Sequence, residues 1–328
     1  MRELPAQIEE DVPLEIMKLL NALPGAVSQG VIWGMMAIGV YITYKILDVA
    51  DLTVDGSIAT GGAVAAMLVI GGCNVWLAMA AAFLVGMLCG LVTGIFHTMM
   101  GIPAILAGIL TQIALYSINL RIMGNKANTA LSVDKYDLLV SARNARAASL
   151  DNPIVLLLIF TAVLIAALYW FFGTEYGSSL RATGANERMA RAQGISTDRA
   201  KVMGLMLSNG IVALSGALLT QYQGFADVQM GRGAIVIGLA AVIIGDVIFG
   251  KLFRNFGLKL LAVSFGAIIY YAVIQVVLWL GLNTNDLKML TAIVVALFLA
   301  IPFWKGKLFR ARKEKTPAAA GKEGGANA

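Results

Sequence analysis

The sequence has little of what a soluble enzyme or a metal site requires. Only 13% of its 328 residues are charged, and it contains one histidine and two cysteines. A soluble globule of this length needs more polar surface than that. Cys73 and Cys89 form neither a metal-binding pattern nor a disulfide framework, so we interpret both as small core residues. His97 has no neighbouring ligand or carboxylate in the sequence, which favours an interfacial histidine over a metal or proton site.

No motif for catalysis or nucleotide binding is complete. Residues 245–252, GDVIFGKL, have the G-x-x-x-x-G-K spacing of a phosphate-binding loop, but Leu252 replaces the Ser or Thr that would hold magnesium. The segment also ends an apolar run, whereas a phosphate-binding loop joins a strand to a helix. We therefore predict no catalytic residue, metal or cofactor on this chain. We attribute the net charge of +6 to the Lys and Arg residues that set the orientation of a membrane protein, and not to a nucleic-acid-binding surface.

Long apolar runs place the chain in a bilayer. Hydrophobic residues make up 59% of the sequence, and the mean hydropathy is +0.80. Because a membrane helix needs about 20 apolar residues, nine spans are predicted: 26–46, 53–71, 75–95, 102–122, 153–172, 202–221, 233–250, 258–281 and 287–304. The fold class is thus an all-α polytopic membrane protein with a transmembrane domain over 25–304.

The flanking segments are polar. Residues 1–24 lack the pattern of a cleavable signal peptide and form a leader, either a short amphipathic surface helix or a plain solvated segment. Residues 305–328 form a basic, disordered tail. Lysine and arginine collect in 175–201, 251–259 and the tail, which places the C-terminus in the cytoplasm and the N-terminus outside a bacterial inner membrane. The loop 121–152, also basic, falls on the outer side and conflicts with this rule.

A faint internal repeat relates the two halves of the chain. Placing 25–128 over 201–304 at an offset of 176 pairs Asp51 with Asp227, although a sequence rich in glycine and alanine produces such identities by chance about as often. Five spans separate equivalent positions, so the halves would be two inverted five-span repeats with broken helices near a pore.

Polar residues cluster at the ends of two apolar runs, in 50–62 and 220–233. Such residues are tolerated at membrane depth where they are buried or line a wet path. Local capping is favoured over solute contact for the three aspartates, with Asp55 as a cap of its own helix, and ion coupling is the weaker alternative. The predicted path residues are Asp51, Thr53, Asp55, Ser57, Thr60, Gln221, Gln223 and Asp227.

Other residues have structural interpretations. Gly86, Gly90 and Gly94 repeat every four residues, which indicates close approach of a neighbouring helix. Asp246, inside a predicted span, is either a gate residue or an acid near the cytoplasmic end of that span. The loop 175–201 is charged, helical in pattern and too short to fold alone, so we expect another protein to grip it.

Two regions resemble the permease subunits of ATP-binding-cassette importers in the branched-chain amino acid and ribose permease superfamily. They are ILDVADLTVDGSIATGGAVAA (46–66) and the block from SLRATGANERMARAQGIS (179–196) through 207–250. LTVDGS together with GIPAILAGILTQIALYSINLRIMG (101–124) is most similar to the tryptophan/tyrosine importer permeases. Compared with the ribose branch, the chain lacks an additional N-terminal span.

This resemblance implies a homodimeric or pseudo-symmetric pore in membrane lipid, two cytoplasmic ATPase subunits that carry ATP and Mg, and an external solute-binding protein. It implies uptake of aromatic amino acids; branched-chain amino acids, nucleosides or sugars are alternatives, and an ion-coupled secondary transporter is a weaker one. It also places a coupling helix at 182–195, within the loop 175–201. The residues expected to contact the ATPase are Arg181, Ala182, Gly184, Asn186, Glu187, Arg188, Met189, Ala190, Arg191, Gly194 and Ile195.

Overall fold

The computed structural model describes residues 6–133, 135–144, 152–280, 286, 289, 291–298 and 300. Over these residues the chain is mainly helical, with one two-stranded ribbon. The elements are α1 (Ala6–Tyr41), continued by a π-helical segment (Ile42–Ile46), α2 (Val54–Ile70), α3 (Val75–Thr98), α4 (Ala104–Ile122), β1 (Asn128–Ala130), α5 (Pro153–Gly173), α6 (Glu175–Ala185), α7 (Glu187–Ala192), α8 (Thr197–Gln223), β2 (Phe225–Asp227), α9 (Ala234–Phe249) and α10 (Phe256–Trp279).

Six of the described helices are long and apolar enough to cross a membrane, so the nine complete spans are not confirmed. Two predicted spans correspond to α2 and α9, which have only 17 and 16 residues. A helix rises about 1.5 Å per residue, so neither reaches across a hydrocarbon core of about 30 Å. The ninth predicted span is helical over 291–298, the predicted basic tail lies outside the described residues, and the predicted leader boundary at residue 24 falls inside α1.

Helices α1 and α8 form the centre of the bundle. The apolar windows of these two helices are 83% and 72% buried, against 17% for α5. Serines of α8 donate hydrogen bonds to backbone carbonyls of α1: Ser208 Oγ to Gly39 at 2.8 Å and Ser215 Oγ to Ile32 at 2.7 Å. Such bonds, together with small residues, are what holds helices together in lipid. Helix α5 exposes most of its apolar surface, as a lipid-facing helix does.

Glycines of α3 allow α8 to approach closely, as their spacing predicts. A side chain at Gly86 would meet the backbone of Asn209, and one at Gly90 would meet the backbone of Leu205. Gly94 lies against Val202 in the same way. The prediction that these glycines pack against a neighbouring helix is therefore confirmed.

The two short helices start at the same place and run in opposite directions. Asp55, in the first turn of α2, accepts hydrogen bonds from Gly233 and Ile235 at the start of α9. Helix α2 then runs toward the end of the bundle that carries β1 and β2, which we call the ribbon end. Helix α9 runs toward the end that carries α6 and α7, the loop end, where Asp246 pairs with Lys45 at 2.9 Å.

Non-helical segments precede both short helices, over 47–53 and 224–233. Each short helix is followed by a helix of 24 residues, α3 or α10. This order resembles a repeat in outline, although Val54 and Ala234, where the short helices begin, lie 180 and not 176 positions apart. The two inverted five-span repeats stay a prediction.

At the ribbon end, β1 and β2 pair antiparallel with Asn128 opposite Asp227. Cys73 is exposed in the turn before α3, whereas Cys89 is buried, so the prediction that both are core residues is wrong for Cys73. The reason is that Cys73 follows the last turn of α2 and precedes the cap of α3 at Asn74, where the chain reverses direction at the surface of the bundle.

Candidate functional site

A buried polar network surrounds Asp51, just before α2. Asp51 is 2% exposed, and its carboxylate accepts hydrogen bonds from the backbone N–H of Thr53 at 2.9 Å and from Asn209 Nδ2 at 2.7 Å. Ser57 Oγ donates to Asn209 Oδ1 at 2.6 Å. Asn209, near the middle of α8, therefore holds both the loop before α2 and the first turn of α2. Because these groups are shielded from water, each bond replaces a hydration shell that has been lost.

Three threonine hydroxyls extend this network to two further helices. Thr53 Oγ1 lies 2.7 Å from Thr93 Oγ1 of α3, and Thr93 donates to Thr111 Oγ1 of α4 at 2.9 Å. All three residues are buried. Thr53 and Ser57, predicted as path residues, thus tie helices together in this conformation.

Asp55 caps a helix, but not its own. Its two carboxylate oxygens accept from the backbone N–H groups of Gly233 and Ile235, each at 2.9 Å. These are two of the N–H groups that a helix start leaves without intrahelical partners, and the positive end of the α9 dipole also favours the carboxylate. The predicted local cap is therefore wrong: Thr53, which precedes α2, gives it no side-chain cap, and Asp55 in the first turn bonds to the start of α9 instead.

A cavity of about 340 Å³ opens beside Asp55. It lies between the first turn of α2, one face of α4 and the segment that leads into α9. Its lining residues are Asp55, Gly56, Gln112, Ile113, Tyr116, Ser117, Asn119, Val228, Gln229 and Arg232. Pockets for small ligands begin at about this volume, so the cavity fits a single small solute.

Asn119 is unusual within this lining. It is 1% exposed, and neither atom of its amide group has a hydrogen-bond partner among the described residues. A buried amide left without partners costs about 1–3 kcal/mol, which makes such groups rare in folded proteins.

The other predicted path residues lie away from this cavity. Thr60 Oγ1 donates to the carbonyl of Gly56 in its own helix at 2.9 Å. Gln221 is buried and accepts from the backbone N–H of Leu139 at 3.2 Å. Asp227 accepts from the backbone N–H of Gln229 at 2.6 Å, a bond within the turn that follows β2 and not a helix cap. Gln223 is exposed at the end of α8.

The predicted coupling helix at 182–195 is instead two helices, α6 and α7. The chain turns at Asn186, which has extended backbone angles and caps α7 by accepting from the N–H of Met189 at 3.0 Å. Gly184, in α6, lies directly on the backbone of Ile46 and Leu47 at the end of the first span, and any side chain there would collide with it. Gly184 thus makes an internal contact; docking to an ATPase stays a prediction for it.

Salt bridges hold α7 to the start of α8. Glu187 accepts from Lys201 Nζ at 2.9 Å and from Arg191 at 2.8 Å, and Arg191 also reaches Asp198 at 3.4 Å. The hydrogen bond from Lys201 lowers the pKa of the Glu187 carboxyl below its ordinary value; the charges of Lys201 and Arg191 and a bond from Thr197 add to this, while partial desolvation opposes it.

The outer surface of this loop is formed by other predicted coupling residues. Met189 is 63% exposed, and Arg188 beside it is exposed as well. Ala190 is buried, and Arg181 donates to the carbonyl of Phe172 at 2.6 Å. Ala182 and Ile195 are half-buried, whereas Gly194 is exposed with a left-handed backbone after α7.

Several residues of this site were not predicted from sequence. Asn209, Thr93 and Thr111 complete the network, and Asn119 and Arg232 line the cavity. A signal existed for α4: Gln112, Tyr116 and Asn119 recur at intervals of four and three, which places polar groups along one helical face. Nothing in the sequence indicated that this face would meet the start of α2.

The family description "Branched-chain amino acid transport system / permease component" matches residues 23–302. The chain belongs to this permease family. It is also 41% identical over 281 residues to the "Tyrosine transport system permease protein" of Clostridioides difficile (strain R20291), which covers 86% of this chain and 91% of that protein. The "Uncharacterized protein RP368" of Rickettsia prowazekii (strain Madrid E) is 32% identical over 86% of this chain and 98% of its own length.

A further relative is the "Autoinducer 2 import system permease protein LsrC" of Yersinia pestis (strain Pestoides F), 31% identical over 51% of this chain and 45% of that protein. Among solved structures, "PsaBC from Streptococcus pneumoniae in complex with Fab" is similar with a TM-score of 0.51 at 16% identity, covering 88% of this chain and 95% of that one. That likeness concerns the fold alone. The family match and the sequence relatives identify the chain as a membrane-embedded, multi-pass permease of the ABC import type. Members of this family are transport subunits and are not enzymes themselves.

Proposed function

We propose that this permease imports aromatic amino acids, driven by separate cytoplasmic ATPase subunits and supplied by an external solute-binding protein. The permease family and the tyrosine transport relative support this proposal. Two copies of the chain form the pore in the inner membrane, and ATP and Mg bind to the partner ATPase.

One observation carries the mechanical part of the proposal: the contact of Gly184 with the backbone of Ile46 and Leu47. That segment is followed by Asp51, which the network joins to α8 through Asn209. A displacement of α6 is therefore passed through packed backbone to the start of α2, beside the cavity. Packed elements of this kind shift as units and do not deform continuously.

The α4 surface next to the cavity supports a dimeric pore. It exposes large apolar side chains, among them Ile113 at 63% and Tyr116 at 42%, both of which also line the cavity. In the proposed homodimer a second copy covers this face, which places the cavity at the interface between the two permeases.

The test of coupling uses Met189, which faces outward, and not Gly184, because any side chain at Gly184 would disturb the first span. Burying a methionine contributes about 1.5–3 kcal/mol, so Met189→Glu should weaken ATPase binding roughly 10- to 100-fold and reduce ATP-driven uptake of L-tyrosine accordingly. The matched control is Met189→Leu, which keeps the apolar contact and should transport as the wild type does.

The measurements are co-purification of the ATPase and ATP-dependent uptake in proteoliposomes that contain the binding protein. L-leucine and D-ribose are assayed in parallel as alternative cargo. Normal ATPase binding and uptake in Met189→Glu would place the docking surface elsewhere. Uptake of any of these solutes without ATP or an ATPase would refute the proposed function itself.

A further inference from the structure

The cavity beside Asp55 has a lining that packing alone does not explain. Its volume of about 340 Å³ is enclosed by three separate parts of the chain: the start of α2, one face of α4 and the segment before α9. The polar network around Asp51 is separate, because none of its members, which lie before and in α2 and in α3, α4 and α8, lines the cavity. The polar groups that line the cavity therefore need a different explanation.

The amide of Asn119 is the first observation that points to a ligand. It is buried, it lines the cavity, and its donor and its acceptor both lack partners among the described residues. For folding alone, an apolar side chain of similar size would be better, since it would remove the penalty of a buried, unpaired amide. A solute that offers both a donor and an acceptor would satisfy this group.

The charges of the lining are the second observation. Asp55 and Arg232 are the two charged residues among those that line the cavity. The two oxygens of Asp55 offer about four lone-pair positions, and the backbone N–H groups of Gly233, Ala234 and Ile235 occupy three of them, which leaves one for a ligand. The guanidinium of Arg232 is a planar donor suited to a carboxylate. One negative and one positive group in a small space complement a zwitterion.

We propose that this cavity is a binding site in the permease for a free α-amino acid, with the α-ammonium at Asp55, the α-carboxylate at Arg232 and the amide of Asn119 bonded to the same head group. The side chain of the solute then lies against Ile113, Tyr116 and Val228. The inference rests on the proposed function, and it makes the permease itself selective for amino acids over neutral sugars, which carry neither charge.

The first variant separates binding from folding. Asn119→Leu removes the unpaired amide and keeps a similar volume, so the purified full-length permease in lipid nanodiscs should unfold at the same temperature or higher. Binding of radiolabelled L-tyrosine and L-phenylalanine, measured by scintillation proximity, should weaken about tenfold, the equivalent of one hydrogen bond of about 1.4 kcal/mol. A lower unfolding temperature with unchanged binding would overturn the assignment, because Asn119 would then be structural.

The second variant tests the orientation of the solute. Wild type should bind L-tyrosine at least tenfold more tightly than tyramine, which lacks the carboxylate, and Arg232→Gln should remove this preference. Arg121→Gln is the matched control: Arg121 is an exposed arginine near the end of α4 that does not line the cavity. An equal loss in both variants, or a preference that survives in Arg232→Gln, would refute the assigned contact.

Uptake by the complete importer distinguishes this inference from the proposed function. If wild type performs ATP-dependent uptake of L-tyrosine while Asn119→Leu and Arg232→Gln bind and transport it normally, the cavity site is wrong and the proposed function stands. If no amino acid is imported in the presence of ATP but wild type binds L-tyrosine with the expected preference over tyramine, the site stands and the proposed function fails.

Discussion

Replacing Asn209 by leucine should destabilise the bundle at one identifiable joint. The Asn209 side chain makes three hydrogen bonds: it donates to Asp51 Oδ2 at 2.7 Å and to the carbonyl of Leu205 at 3.0 Å, and it accepts from Ser57 at 2.6 Å. Two of these bonds join α8 to Asp51 and Ser57 at the start of α2, and interhelical hydrogen bonds in membrane proteins contribute about 0.6–1.7 kcal/mol each. The variant also removes one of the partners of the buried Asp51 carboxylate and leaves it with Thr53 alone, which adds to the cost.

Together these terms predict a loss of about 2–5 kcal/mol. At the roughly 2–4 °C per kcal/mol typical of domains of 150–250 residues, the unfolding temperature should fall by about 4–20 °C. Thermal unfolding in nanodiscs, followed by fluorescence-detected gel filtration, measures this shift.

The matched control for Asn209→Leu is Thr60→Val, another buried polar residue. Its hydroxyl donates to the carbonyl of Gly56 in its own helix and also contacts the thiol of Cys89, which is a weak partner, so the control should cost only about 1 kcal/mol. A double variant, Asp51→Leu with Asn209→Leu, should recover part of the loss, since replacing both partners by apolar groups removes the unpaired charge. Equal stability of Asn209→Leu and Thr60→Val would refute the view that this network joins α2 to α8.

Two further predictions concern helix packing and the loop end. Gly86→Leu should prevent assembly of the bundle, because the new side chain would meet the backbone of Asn209. Gly173→Leu is the control and should be tolerated, since no heavy atom lies within 4 Å of a Cβ added there. The yield of folded protein in detergent measures both effects. Because the pKa of Glu187 is lowered, its bond to Lys201 stabilises α7 fully above the ordinary carboxyl pKa of about 4.5, and this stabilisation is lost as the pH falls from there through the lowered pKa. Corrected for the intrinsic exchange rate, hydrogen exchange of the α7 amides should therefore become faster as Glu187 is protonated. In Glu187→Gln these amides should exchange fast at every pH. A wild type whose α7 exchange does not rise at low pH would contradict the role of the ion pair.

Sequence patterns predicted the helices because lipid imposes a length and an apolar composition on them. The runs at 75–95 and 153–172 correspond to α3 and α5, and the glycines of α3 indicated its close contact with a neighbour. The runs at 53–71 and 233–250 match the bounds of α2 and α9 within one residue, but both helices are too short for complete spans, and apolar composition does not show what fixes the start of such a helix inside the bundle. The start of α2 depends instead on bonds to Asn209, a residue 158 positions from Asp51.

Polar residues were located from sequence more reliably than their roles. Asp55 was expected to cap its own helix, yet it caps a helix that begins 179 positions later. The sequence also did not show that Asn119 and the first turn of α2 line the same cavity, because this cavity is formed by three chain segments that meet only in the folded bundle. Contacts across such separations follow from the tertiary arrangement and carry no local periodicity.

The antiparallel ribbon gives the bundle a second point at which an outside protein can act. Strand β2 leads within seven residues to the start of α9, and β1 holds it from the neighbouring loop. In the proposed importer, a movement of that loop would reach Asp55 through the segment before α9, and a movement of α6 would reach the start of α2 through the end of the first span. Binding of a partner at the ribbon end and binding of a partner at the loop end would then both act on the surroundings of one carboxylate, so the two partners would be coupled without touching each other.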